Sequence, residues 1–105
     1  AHMLLEFKIK EKLTSIFKGL ADSTRLDILT LLSQKERSVS EIVALLTISQ
    51  SAVSHQLKTL KEAALVKGIR KGKYVIYSLN DDHVYQIFTQ AVEHAKEMIN
   101  EEKNV

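Results

Sequence analysis

Four side chains near the end of the sequence have the types and spacings that bind a metal ion. Asp81 and His83 form one pair, and His94 and Glu97 form a second pair further along the chain. Imidazole nitrogen and carboxylate oxygen are both common zinc ligands, and closed zinc sites are tetrahedral with four ligands. Together the two pairs have the composition of one four-ligand site for Zn(II), or for Co(II) in a similar geometry.

The spacing of the two histidines decides how these ligands can combine. His83 and His94 are eleven positions apart, so on one helix they lie about 20° apart on the same face. They are also about 16 Å apart along the helix axis, whereas a zinc ligand atom lies about 2.0 to 2.2 Å from the metal. One helix therefore carries two half-sites, and two antiparallel copies across a two-fold axis would form two complete sites.

Each of the four residues also has an interpretation without a metal. Asp81 suits a helix N-cap, because a carboxylate accepts hydrogen bonds from the first backbone amides of a helix. His83 fits an exposed position in the first helical turn, and His94 fits a partly buried histidine. Glu97 fits an exposed acid paired with nearby lysines. Two neighbouring acids are alternative ligands: Asp82 and Glu93.

The charged residues divide into a basic region and an acidic region. The segment from Ser49 to Tyr77 has six basic side chains and one acidic side chain, and the segment from Asp81 to Glu102 has the reverse. A basic surface suits a polyanion such as nucleic acid, and an acidic surface suits a cation. Solvated surfaces also carry charge runs, so the charges alone do not decide between these interpretations.

Apolar residues recur at helical spacing through most of the chain. Because the sequence has no proline and no glycine- or serine-rich linker, residues 4–105 are interpreted as one domain. We expect a first amphipathic helix to run to about Lys18 and to end at Gly19, and Asp22 or Ser23 to cap a second helix. The second helix is expected to bury Leu26, Ile28, Leu29, Leu31 and Leu32.

The middle of the sequence predicts two short helices joined by a tight turn. Ser38 and Glu41 match a capping box, and the helix that they begin is expected to end near Thr47. Ser49 is expected to cap the next helix, which has a polar outer face typical of the second helix of a helix-turn-helix unit. The alternative is an ordinary solvated helix face. The expected inward residues are Val53, Leu57, Leu60 and Ala64. The outer residues, whose donors and acceptors suit base edges in a major groove, are Gln50, Ser51, Ser54, His55 and Lys58.

After Leu65 the apolar residues alternate, which predicts two short strands around a basic turn. Arg70, Lys71 and Lys73 at this turn are expected to contact DNA phosphates or the adjacent minor groove. A turn whose charges serve only solubility is the alternative. The last helix, at about residues 81–100, has a broad apolar stripe that no later element can cover. Together with the first helix, it is the expected homodimer interface.

Several classes of function are excluded or disfavoured. The chain has no cysteine, which removes disulfides, thiolate nucleophiles and thiol-based metal sites. The longest apolar run, Ile42–Leu46, is too short to span a membrane, and the first residues lack a secretory signal, so we expect a cytoplasmic protein. Residues 1–3 are interpreted as an expression remnant with the natural start at Met3. An enzyme is not expected, because a zinc site that uses all four ligands leaves no position for water.

Three segments of the chain resemble the ArsR/SmtB family. They are Leu20–Leu29, Ser49–Lys58 and Gly72–Leu79. The resemblance implies a mainly α fold with a small β-hairpin, a winged helix-turn-helix that forms a homodimer through its first and last helices. It further implies a repressor that binds double-stranded operator DNA as an apo-dimer and releases it when Zn(II) or Co(II) binds between the C-terminal helices. The alternative is a winged-helix regulator with no metal response.

The resemblance also assigns roles to particular positions. The family's zinc motif, Asp-x-His-x10-His-x2-Glu/His, is matched at Asp81, His83, His94 and Glu97. In the family, a zinc-bound histidine donates its other ring N–H to a backbone carbonyl near the end of the recognition helix, which corresponds here to His94 and Ala64. The family's DNA-contacting positions fall on Gln50, Ser51, Ser54 and His55, with the wing at residues 70–73.

Overall fold

The computed structural model describes residues 3–104, which form five helices and one small antiparallel sheet. The elements in chain order are α1 (Phe7–Leu20), α2 (Ser23–Gln34), β1 (Arg37–Ser38), α3 (Val39–Leu46), α4 (Gln50–Glu62), β2 (Val66–Lys71), β3 (Tyr74–Leu79) and α5 (Asp82–Lys103). The predicted fold, mainly helical with a β-hairpin, is confirmed. The first two residues of the proposed expression remnant, Ala1 and His2, lie outside the described residues. No helix in residues 3–104 is both long enough and apolar enough to cross a membrane.

Side-chain caps start four of the five helices in this part of the chain. The caps of α2, α4 and α5 are Asp22, Ser49 and Asp81, each of which accepts a hydrogen bond from a backbone amide three residues later. Helix α3 begins with the predicted capping box: the Ser38 hydroxyl accepts from the Glu41 amide, and the Glu41 carboxylate accepts from the Ser38 amide. These local hydrogen bonds fix where each helix begins.

The capping box makes the stability of the protein depend on pH in acid. Hydrogen bonds from Ser38 hold the pKa of Glu41 below its ordinary value of 4.5. A lowered folded-state pKa adds stability above pH 4.5 that is lost as the pH falls through the lower, folded-state pKa. Glutamine keeps the capping box without a titrating group. We therefore expect the melting temperature of Glu41→Gln to fall less between pH 6 and pH 3 than the melting temperature of the wild type. Equal losses in the two proteins would show that this carboxylate does not contribute to acid unfolding.

The core lies where α2, α3 and α4 meet the sheet and the start of α5. Its fully buried side chains include Ile28 and Leu29 of α2 and Leu57 and Leu60 of α4. Helix α5 contributes Val84 and Phe88 from its first two turns. The packing of α4 against this core leaves its opposite face in solvent.

Two predictions about buried residues are wrong. Leu26 is 42% exposed because it faces a groove between α1 and α5 that is open in the single chain. Ala64 was expected to continue the inward face of α4, but α4 ends at Glu62 and Ala64 is exposed with a φ of 57°. This left-handed residue reverses the chain toward β2, so helical periodicity no longer applies there.

The sheet has the strand order β1-β3-β2, and both strand pairs are antiparallel. The hairpin of β2 and β3 was predicted, and β1 was not. Strand β1 has only two residues, Arg37 and Ser38, which pair with Tyr77 and Ile76. This pairing ties the base of the hairpin to the segment between α2 and α3. The first helix also ends one residue later than Gly19, at Leu20.

Helices α1 and α5 leave apolar side chains in solvent. Phe7 and Phe17 of α1 and Met98 and Ile99 of α5 are each at least half exposed. An apolar groove runs between the end of α1 and the middle of α5. Its lining residues are Phe17, Leu20, Ala21, Leu26, Ile87, Phe88, Ala91, Val92 and Ala95. A groove of this kind marks an interaction surface rather than ordinary surface.

Candidate nucleic-acid and metal sites

Helices α3 and α4 form a helix-turn-helix unit with a turn of three residues. Thr47 adopts the left-handed conformation that ends α3, and Ser49 caps α4 through the backbone amide of Ala52 at 3.1 Å. Val53 and Leu57, both buried, hold α4 against the core. The unit therefore presents one complete face of α4 to the exterior.

All five predicted DNA-contacting residues of α4 lie on this exterior face. They are Gln50, Ser51, Ser54, His55 and Lys58, and each is exposed. The Ser51 hydroxyl lies 3.2 Å from the Ser49 hydroxyl, so it is held close to the N-terminus of the helix. The others extend an amide, a hydroxyl, an imidazole and an ammonium group into solvent. These groups are suited to base edges and phosphates of a duplex.

The wing is the hairpin formed by β2 and β3, and its turn contains the predicted basic residues. Gly72 has a φ of 65°, a conformation that glycine adopts without strain. Arg70 and Lys73 are exposed on either side of it. The Lys71 ammonium lies 3.1 Å from the carboxylate of Glu36, which precedes β1. The sequence did not indicate Glu36 as part of this surface, because it is 35 positions away from Lys71.

The first ligand pair lies at the N-terminus of α5. The Asp81 carboxylate accepts from the Val84 amide at 3.1 Å, and one of its oxygens lies 3.8 Å from Nδ1 of His83. The hydrogen bond from Val84 is the main cause that lowers the pKa of Asp81, so this carboxylate remains ionised. The His83 side chain is 91% exposed. Both residues are therefore accessible to an ion from solvent.

The second ligand pair lies three turns further along the same continuous helix. His94 and Glu97 are exposed, so the single chain does not support the interpretation of His94 as a partly buried histidine. Among residues 3–104, no three potential ligands are grouped closely enough to hold a metal. One chain does not bring the two pairs together.

The two alternative ligands are engaged with neighbours on α5. Asp82 accepts a hydrogen bond from Gln86 at 2.8 Å, and Glu93 lies 3.4 Å from the ammonium group of Lys96. Within residues 3–104, no ion pair within 4.0 Å involves Glu97. Unlike Glu93, Glu97 therefore has no competing ion pair among the described residues.

Comparison with known proteins identifies the family. Residues 22–67 match the model described as "Bacterial regulatory protein, arsR family". The chain is 37% identical over 84 residues to a cadmium resistance transcriptional regulatory protein CadC homolog of Staphylococcus aureus, covering 79% of this chain and 69% of that protein. The protein belongs to the arsR family. Its relatives are transcriptional regulators, and no enzyme activity is implied by them.

A second relative and a solved structure agree with this assignment. The transcriptional repressor SmtB homolog of Synechocystis is 38% identical over 87 residues, covering 83% of this chain and 66% of that protein. A homodimeric winged helix-turn-helix DNA-binding domain from Mycobacterium bovis, described as a possible ArsR-family regulator, superposes with a TM-score of 0.88. That structure is 27% identical and covers 96% of this chain and 95% of its own. The fold is therefore a winged helix-turn-helix.

Proposed function

We propose that this arsR-family protein is a metal-responsive transcriptional repressor that acts in the cytoplasm. In this proposal the apo-homodimer binds double-stranded operator DNA, and Zn(II) or Co(II) bound between the C-terminal helices releases it. The observation that carries the proposal is the arrangement of α5. One continuous helix carries two incomplete, exposed ligand pairs, one at its N-terminus and one in its second half, together with an apolar stripe that the single chain leaves open.

A second copy of the chain completes both features of α5 at once. Antiparallel packing of two α5 helices brings the Asp81 and His83 end of one protomer to the His94 and Glu97 end of the other. The same packing covers the apolar groove between α1 and α5. The homodimeric state of the Mycobacterium bovis domain supports this arrangement. Each dimer then has two equivalent sites with two imidazoles and two carboxylates.

The four donors fit zinc in type, and the spacing of the Asp81 and His83 pair supports the proposal. Donor atoms of a tetrahedral zinc site lie about 3.3 Å apart for bonds of about 2.0 to 2.1 Å. The observed 3.8 Å between Asp81 Oδ1 and His83 Nδ1 is close to this value. The hydrogen bond from Val84 orients the Asp81 carboxylate, as outer-shell partners do for metal ligands. Cadmium resistance appears in the name of one relative, but this chain has no thiolate for a soft metal.

In this proposal, contacts between protein residues couple metal binding at α5 to the DNA-binding surface of α4. When bound, the metal supplies a rigid cross-link between ligands of two subunits. With the metal bound, His94 would donate its second ring N–H to the backbone carbonyl of Ala64, which follows α4 in the chain. This contact would favour a dimer in which the two α4 helices no longer match major-groove sites about 34 Å apart.

The test of this proposal is DNA binding with and without zinc. An operator duplex is first selected from a randomised pool by the apo-protein and then titrated while its fluorescence anisotropy is followed. Zinc is expected to weaken DNA binding, and DNA to weaken zinc binding by the same factor, because coupling between two sites is reciprocal. Operator affinity that is unchanged by saturating zinc would contradict the metal response and leave DNA binding intact.

The second candidate is a winged-helix regulator whose last helix serves only dimerisation. The observation that favours it is the complete N-cap at Asp81, which explains that carboxylate without any metal. In this case His83→Ala leaves the operator affinity insensitive to zinc, as it is in the unsubstituted protein. Under the metal-responsive proposal, His83→Ala instead removes a response that the unsubstituted protein shows.

The ion pair between Glu36 and Lys71 predicts the effect of a single charge on DNA binding. We expect Glu36→Gln to raise operator affinity about two- to fivefold at low salt, because exposed ion pairs are worth at most about 1 kcal/mol. Lys71 is then free for a phosphate, and the carboxylate no longer repels the duplex. Anisotropy titrations across salt concentrations measure this. Glu102→Gln, which changes net charge equally at the far end of α5, is the control, and an equal gain there would refute the local explanation.

A further inference from the structure

Helix α1 is attached to the recognition helix α4 by one side chain. Arg25, in the first turn of α2, is only 16% exposed. Its Nε donates to the Gly19 carbonyl at 2.7 Å, and one terminal nitrogen donates to the Lys18 carbonyl at 3.0 Å. Its other terminal nitrogen donates to the side-chain oxygen of Gln56 at 3.1 Å. One planar guanidinium thus joins the end of α1 to the middle of α4.

Two of these hydrogen bonds end at carbonyls of the last turn of α1, and the Lys18 carbonyl also accepts from the Ala21 amide at 3.2 Å. The last carbonyls of a helix accept no hydrogen bond from within the helix, so the end of α1 needs donors from elsewhere. Gln56 is half-buried and lies beside the DNA-facing residue His55. It therefore sits on the flank of α4, between the exposed face and the core. A guanidinium forms several such bonds in one fixed plane, which a flexible ammonium group cannot do.

A second contact holds the same two regions together independently. Gly19 is buried, and a Cβ atom placed there would lie 2.8 Å from the Leu65 side chain and 3.2 Å from Ala63. The end of α1 therefore lies directly against the segment that follows α4. Together with Arg25, this close approach means that a displacement of α1 displaces α4 as well.

We propose that Arg25 is a positioning residue that sets the orientation of the recognition helix relative to α1 through Gln56. Helix α1 is part of the apolar surface that a second copy covers, so its position follows the geometry of the dimer. Arg25 then relays that geometry to the DNA-binding face. The DNA-binding part of this inference rests on the proposed function, whereas the mechanical link between α1 and α4 does not.

The link itself is tested by hydrogen exchange in the absence of DNA. Gln56→Met removes the acceptor and keeps a helix-forming side chain of similar size. Amides of α4 and of the last turn of α1 are expected to exchange about two- to tenfold faster, the effect of one hydrogen bond on local opening. Unchanged exchange in α4 would overturn the proposal.

The chain offers a control with the same chemistry. Arg37 donates to the Leu31 carbonyl and to the side chain of Gln34, so it also joins a helix end to a glutamine, but within one segment. Gln34→Met is expected to leave exchange in α1 and α4 unchanged. Equal acceleration of α4 in both variants would show a general loss of stability and would also overturn the proposal.

The consequence for DNA is tested by the spacing between half-sites. With an operator selected by the wild-type protein, insertion of one base pair between the half-sites is expected to weaken wild-type binding at least about tenfold. Gln56→Met is expected to lose most of this discrimination. Gln56→Glu restores an acceptor for Arg25, so this variant should keep the discrimination between half-site spacings, whatever its absolute affinity for the operator. Full discrimination by Gln56→Met would overturn the relay. If the wild type selects no duplex, the proposed function fails, and the exchange experiment still decides the link.

Discussion

Replacing His94 with alanine is expected to weaken Co(II) binding more than about 100-fold. Loss of an outer-shell partner alone typically costs 10- to 100-fold in metal affinity, and His94 is proposed to bind the metal directly. Tetrahedral Co(II) has intense visible absorption bands, and octahedral Co(II) has weak ones. The wild type should therefore show intense bands that saturate at one ion per protomer and disappear when Zn(II) is added. His94→Ala should show none of these bands at the same concentrations.

A second histidine in the chain is a matched control. His55 is exposed on the recognition helix and lies outside the proposed ligand set. His55→Ala should keep the cobalt spectrum and lower operator affinity, whereas His94→Ala should keep apo-protein DNA binding and lose its sensitivity to zinc. An intense cobalt spectrum that survives in His94→Ala would remove this residue from the site and with it the pairing of the two α5 helices.

The largest loss of stability is expected where the recognition helix meets the core. Leu57 is 1% exposed and lies on the inner face of α4. Leucine-to-alanine substitutions at such positions cost about 2 to 5 kcal/mol, from the lost burial and from the cavity that remains. Domains of this size are stable by about 5 to 15 kcal/mol, so Leu57→Ala removes a large part of the total. Urea unfolding measures the loss, at one fixed protein concentration because dimerisation adds to stability.

Leu45 provides the comparison for this substitution. It is also a leucine of the helix-turn-helix unit, but it lies on α3 and is 54% exposed. Leu45→Ala should change the free energy of unfolding by no more than about 0.5 kcal/mol, as is usual at exposed positions. Similar losses in the two variants would mean that α4 is not held by the core in the way that the structure shows.

The features that the sequence predicted are those encoded within a few residues. The capping box of Ser38 and Glu41 and the caps at Ser49 and Asp81 depend on hydrogen bonds across three positions. The glycine at the tip of the wing is likewise a local requirement, because its φ is positive. The proposed metal ligands could be placed on one helical face for the same reason: the helix period alone fixes their directions.

The features that were missed depend on residues far apart in the chain. Strand β1 has two residues and exists only because β3, almost forty positions later, pairs with it. Arg25 and Gln56 are 31 positions apart, and nothing in either local sequence indicates that they meet. Ala64 was placed wrongly for a different reason. The sequence prediction continued the inward spacing of α4 to Ala64, which is a left-handed residue beyond the end of the helix.

The exposed second half of α5 would make the proposed metal response depend on the cellular concentration of the protein. Every residue of the segment 93–103 is exposed, and three of its acids, Glu93, Glu97 and Glu101, follow at four-residue intervals that disfavour a helix. A helical segment this short is marginal in water without packing against a partner. On the proposed assembly, dilution below the dimer dissociation constant therefore separates the two half-sites of each metal site and removes the packing that stabilises the second half of α5. Cellular abundance, and not only metal affinity, then sets the threshold of the response.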